Sequence, residues 1–167
     1  AFNTKDSHAM EWYYPILCGA VRGDAARERI DARWDEFVVP GLGIRCVDTN
    51  PWVTGAETCE LAMALHALGD HVRARQLVAD VQHLRTEDGR YWTGLVFPEQ
   101  VNWPVEHTTY TAAAVLLGLI LTNTFASVVA IDDDDDDDVP QVTPKAFQTL
   151  IGKALPAPAS QKAFQTL

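Results

Sequence analysis

The chain has 167 residues and 47% apolar side chains, enough for one domain with a buried core. Its net charge of −10 is dominated by Asp132–Asp138; the other 16 acidic and 13 basic residues form no basic stripe, which argues against nucleic acid and anionic membrane surfaces as partners. Three cysteines, Cys18, Cys46 and Cys59, do not make a disulfide framework and point to a reducing, cytoplasmic setting.

Taken in order, the chain opens without a basic segment leading into an apolar run, so no secretory signal is read there. His8–Val21 is predicted helical, capped by Asp6 or Ser7, with Pro15 kinking or shortening its first half. Asp24 is expected to cap a second helix carrying Ile30, Trp34, Phe37 and Val38 on one face. A Gly/Pro-rich loop follows from Pro40 to Thr54, long enough to suggest function. Glu57–Leu68 is an apolar helix, and Asp70–Leu84 its amphipathic partner with Leu77, Val78, Val81 and Leu84 inward. A second long loop runs from Arg85 to Pro104, and Glu106–Leu117 opens a third unit.

The first helix of each pair belongs to a repeat. Three windows each end on glycine: Ser7–Gly19, Glu57–Gly69 and Glu106–Gly118, spaced 50 and 49 residues apart. A fixed period of that size with two helices per unit predicts an array of helical hairpins, in which no unit buries its apolar face alone. The expected organisation is a helical-repeat domain over residues 1–118, an apolar segment that breaks the pattern over 119–131, and a low-complexity tail over 132–167. Within Ala112–Ile131 there are 20 residues without a charge, a length that barely reaches a membrane span. Thr122, Asn123, Thr124 and Ser127, with no flanking Lys or Arg, favour a buried helix, or a strand after Leu121. The aspartate run and the tail, in which KAFQTL occurs at Lys145–Leu150 and Lys162–Leu167, are expected to be largely disordered.

Apolar and amphipathic helices alternating at this period, joined by loops rich in Trp and Gly, resemble the all-α fold called the α/α toroid. Glu87-Asp88-Gly89-Arg90-Tyr91-Trp92 is similar to the acidic/Gly/aromatic turn of terpene cyclases and prenyltransferase β-subunits, and His107-Thr108-Thr109-Tyr110 to the His-Thr-x-Tyr of protein prenyltransferases. The resemblance covers about Ser7–Gly118. It implies an inner ring of apolar helices, a transferase acting on an isoprenoid diphosphate, and a zinc site at the starts of neighbouring inner helices.

Residue by residue, Glu57, Cys59 and His107 match the carboxylate, thiolate and imidazole that hold that zinc, a set that leaves one position open for a reacting thiol. Cys46, Asp48 and His107 form a second possible set. Arg45 stands where the family carries an arginine for diphosphate, although its spacing to Cys59 is longer; the plain alternative is a solvated loop arginine. Trp52, Trp92, Trp103 and Tyr110, with Trp12, Tyr13 and Tyr14, would line an apolar cavity and stabilise a carbocation, stack on sugar rings in a carbohydrate-active relative, or simply anchor loops. The protonating Asp-x-Asp-Asp of squalene-type cyclases is missing from the repeats, and the aspartate run reads as a solvated segment.

Three functions follow as expectations: a zinc-assisted prenyltransferase-like enzyme, a carbohydrate-active enzyme using loop acids such as Asp48, Glu87, Asp88 or Glu99, and a non-catalytic interaction fragment. An incomplete ring would expose apolar helices, so an oligomer or a partner chain that completes it is also expected.

Overall fold

The computed structural model describes residues 5–124. By its contacts the chain divides after Val129, and the described residues all belong to the first unit, Ala1–Val129. Among the described residues there are six α-helices, α1 (Ala9–Leu17), α2 (Gly23–Ala32), α3 (Trp34–Phe37), α4 (Gly55–Ala67), α5 (His71–Asp80) and α6 (Thr109–Leu121), and a 3-10 turn at Val81–Leu84. Between them lie five short strands, β1 (Val38–Val39), β2 (Gly43–Arg45), β3 (Trp52–Thr54), β4 (Gly94–Val96) and β5 (Val101–Asn102).

The strands form one antiparallel sheet in the order β1-β2-β3-β4-β5, with Ile44 opposite Thr54 and Val53 opposite Leu95. This corrects the expectation of an all-α toroid: the fold is mixed α/β, with the sheet built from the two long loops and from Val38–Val39, at the end of the predicted second helix. Each strand is two or three residues long, too short for alternation of apolar and polar side chains to announce it.

The repeated windows do become helices, and α4 packs between α1 and α6. Residues on all sides of α4 are buried, from Thr58 and Cys59 to Glu60, Leu61 and Leu65, as a helix enclosed by neighbours requires. On one side Thr58 Oγ1 accepts from Ile44 N at 2.9 Å and donates to Thr54 O at 2.6 Å, tying the sheet to the helix start. That contact needs Gly43, whose φ is +116° and where a Cβ would sit 2.6 Å from Thr58 Oγ1. On another side Cys59 lies under Gly118 of α6; a Cβ on that glycine would stand 3.3 Å from the sulfur. Gly118 therefore does not end its helix, as the window pattern suggests, but lets two helices come close.

The amphipathic faces follow the periodicity. Leu77, Val78, Val81 and Leu84 are all buried, as are Ile30 and Phe37, while Trp34 and Val38 are partly covered. Asp70 caps α5, accepting from Arg73 N at 3.2 Å. At α1 the cap is His8, without a side-chain bond, rather than Asp6 or Ser7, and α2 is preceded by Arg22 with Asp24 in its first turn.

Pro15 stays inside α1. A proline at that position has no N–H for the carbonyl four residues earlier, that of Glu11. Arg29 from α2 supplies the missing donor, with Nη2 on Glu11 O at 2.6 Å and Nε on Trp12 O at 2.8 Å. Trp12 returns a bond from its indole Nε1 to Arg29 O at 2.7 Å and stacks on Phe37 at 5.2 Å between ring centroids. Helix α1 is thus held to α2 by a reciprocal clasp.

No helix among the described residues is long and apolar enough to cross a membrane; α6 has 13 residues. The expectations for residues 125–131 and for the tail lie outside the described residues.

Candidate active site

The centre that the fold builds at the α1–α4–α6 junction is a carboxylate. Glu60, the buried carboxylate of α4, is 8% exposed and accepts two tyrosine hydroxyls. Tyr13 from α1 donates to Oε2 and Tyr110 from α6 to Oε1, each at 2.5 Å. Distances this short mark charge-assisted O–H···O bonds. Burial, and then the hydrogen bond to Glu60, push both phenols well above the ordinary tyrosine range, so they stay protonated and keep donating. Tyr14 is also raised, by burial first and by the charge of Glu60 next.

Glu57 precedes Glu60 by three residues on the same helix, a spacing that puts both carboxyls on one face. Its Oε1 accepts from Cys46 Sγ at 3.5 Å, where β2 ends. Burial, followed by the charge and hydrogen bond of Glu57, pushes the Cys46 thiol up to about 12. Glu57→Gln removes the charge and leaves the burial. Alkylation of Cys46 at pH 8 is expected to quicken several-fold in that variant, because thiolate is the reactive form. Peptide mass spectrometry after iodoacetamide treatment reads this, and an unchanged rate would show that Glu57 does not govern the thiol.

The three zinc candidates do not come together. Glu57 reaches Cys46, Cys59 is packed beneath Gly118, and His107 lies against Trp92 with ring centroids 3.9 Å apart and Nδ1 3.1 Å from Tyr91 O. Among the described residues no group of three His, Cys, Asp or Glu is placed to hold a metal ion, so the donor set does not fit zinc. The second set fares no better, since Asp48 turns to Arg33, with Oδ2 3.5 Å from Nη2. Asp48 Oδ1 is buried and takes no hydrogen bond among the described residues.

The remaining candidates fall into two groups. Arg45 is on β2, donating from Nη1 to Asp48 O at 3.1 Å with its guanidinium 5.2 Å from the Phe97 ring centre. Trp52 and Trp103 pair edge to face, and Trp92 pairs with His107. Tyr110 is the member that joins the carboxylate centre. Of the loop acids, Asp88 is fixed by Arg90 and Thr86, which hold its carboxyl well below the usual range, and Glu87 and Glu99 are exposed. Glu60 itself escaped the sequence reading. The signal was present as a charge in the midst of the apolar run Cys59–Leu65, a residue type almost never fully buried without a partner.

A carboxylate pair flanked by protonated phenols suits acid–base chemistry on a polar substrate better than ionisation of an isoprenoid. The chain is similar to an enzyme whose name denotes cleavage of a mannoside. That relative is the MMP endo-(1,4)-3-O-methyl-alpha-D-mannosidase of Mycolicibacterium hassiacum, 64% identical over 117 residues. The match covers 70% of this chain and 33% of the relative, so the chain spans about a third of the length of the protein it matches. No family model matches the chain. The likeness to a mannosidase overturns the prenyltransferase resemblance, and with it the isoprenoid diphosphate substrate. The short motifs behind that resemblance, an acidic/Gly/aromatic turn and a His-Thr-x-Tyr helix start, have local roles here in a turn and a helix cap.

Proposed function

We propose that this protein takes part in hydrolysis of α-(1,4)-linked mannosides that carry 3-O-methyl groups. The observation that carries the reading is the 64% identity with the Mycolicibacterium hassiacum mannosidase over 117 residues. The carboxylate centre supports it. Glycoside hydrolysis passes through a transition state with positive charge on the sugar and uses a pair of carboxyl groups. Glu60, with both oxygens bound by phenols, supplies a fixed negative charge toward that centre. Glu57, held by a long contact to a thiol, handles the proton: it passes one to the departing glycosidic oxygen as the C–O bond breaks, and water then adds to the sugar carbon and gives a proton back to the Glu57 carboxylate. We place the reaction in the cytoplasm, a setting supported by three free thiols.

The test is incubation with an α-(1,4)-linked 3-O-methylmannose oligosaccharide, followed by mass spectrometry. Internal cuts, each adding one water, are the expected result, and Glu57→Gln should slow them by about a hundredfold or more. An oligosaccharide left intact by this protein, under conditions where the Mycolicibacterium hassiacum enzyme cuts it, would overturn the reading.

A further inference from the structure

Resting on the mannosidase reading, we propose that Trp52 and Trp103 form a sugar-stacking subsite that receives a 3-O-methylated mannopyranose. The two indoles make a corner, with ring centroids 5.0 Å apart and planes at 76°. Trp103 is 53% exposed, so a broad apolar face stands open to a ligand. The corner is built rather than incidental. Trp52 Nε1 donates to Trp103 O at 2.7 Å, and Trp103 N donates to Gly94 O at 3.0 Å. Gly94 leaves the space in which Trp52 lies, since a Cβ there would sit 2.6 Å from the indole nitrogen.

The shape matches the ligand. A pyranose ring rests its C–H face on an indole, and the exposed Trp103 offers that floor. Mannose carries O3 equatorially, so a methyl on O3 extends from the ring edge, where the upright Trp52 makes a wall. Methylation also removes a hydroxyl hydrogen that would otherwise need an acceptor, and neither indole face provides one. The corner adjoins the carboxylates through one residue: Cys46 N donates to Trp52 O at 3.4 Å, while its sulfur contacts Glu57 at 3.5 Å.

Isothermal titration of wild type, Trp103→Ala and Trp103→Phe with α-(1,4)-linked oligosaccharides of 3-O-methylmannose and of mannose tests the subsite. Wild type should prefer the methylated ligand by about fourfold for each methyl it buries. Trp103→Ala should lose that preference while Trp103→Phe keeps most of it, with circular dichroism unchanged in both. Retention of the full preference by Trp103→Ala, or binding of neither ligand by wild type, would overturn the subsite. Cleavage by wild type together with an unaltered preference in Trp103→Ala removes the subsite and leaves the hydrolase. Binding that depends on Trp103 without any cleavage removes the hydrolase and leaves the subsite.

Discussion

Glu60→Ala is expected to lower stability by about 3 kcal/mol, from the lost charge-assisted bonds and the orphaned phenol of Tyr13. Tyr13 has no exposed surface, so its hydroxyl would have neither the carboxylate nor bulk water as partner. For a chain of this size the melting temperature should fall by about 6–12 °C. The same contact predicts alkaline behaviour. All four tyrosines, Tyr13, Tyr14, Tyr91 and Tyr110, are raised above the ordinary value, chiefly by burial. A group whose folded pKa is raised stabilises the fold fully below its unfolded value, near 10, and that contribution drains away as pH climbs through the folded value. Tyrosinate absorbance at 295 nm should therefore rise above the usual range and together with unfolding. In Glu60→Ala, Tyr110, which is 55% exposed, should titrate earlier than in wild type. A wild-type titration centred on pH 10 would disprove the bonds from Tyr13 and Tyr110 to Glu60.

Trp12→Ala should cost still more, about 3–5 kcal/mol, the range for removing a large buried aromatic. The indole is 1% exposed, stacks on Phe37 with 14° between planes, and meets Trp34 edge to face at 6.4 Å. Its loss leaves a void between α1, α2 and α3 and removes the bond to Arg29 O. Trp12→Phe refills part of the space and loses only that bond, so it should cost about half as much. Urea denaturation of both variants checks the order. An alanine variant within about 1 kcal/mol of wild type would mean that this region is not part of the cooperative core.

Much of the helical skeleton was legible because burial imposes a period. Window by window, α1, α4 and α6 lie within two or three residues of the predicted starts, and most of the named inward residues are buried, but the predicted second helix breaks after Ala32, with Trp34 and Phe37 on α3 and Val38 on β1, and Val81 and Leu84 lie past the end of α5. The sheet was not legible. Gly43–Arg45 and Trp52–Thr54 find their partners in Val38–Val39 and Gly94–Val96, so their strand character is created by tertiary contact rather than by local pattern. Site chemistry was the hardest to read. Residue types alone drew Glu57, Cys59 and His107 together, yet positions two apart on a helix diverge: Cys59 went to α6, and Glu57 to Cys46, just past the end of β2. Glu60, one position beyond that set, is the carboxylate on which α1 and α6 converge.

The seat of Cys59 gives the protein a built-in clock. Its sulfur is fully covered and lies in the seam where Gly118 brings α6 against α4. No reagent larger than water reaches it until that seam parts. Cys18, by contrast, lies on the outside and reacts at once. The delay between the labelling of Cys18 and that of Cys59 therefore times how often α6 lifts away from α4, a rate read in the native protein without any denaturant.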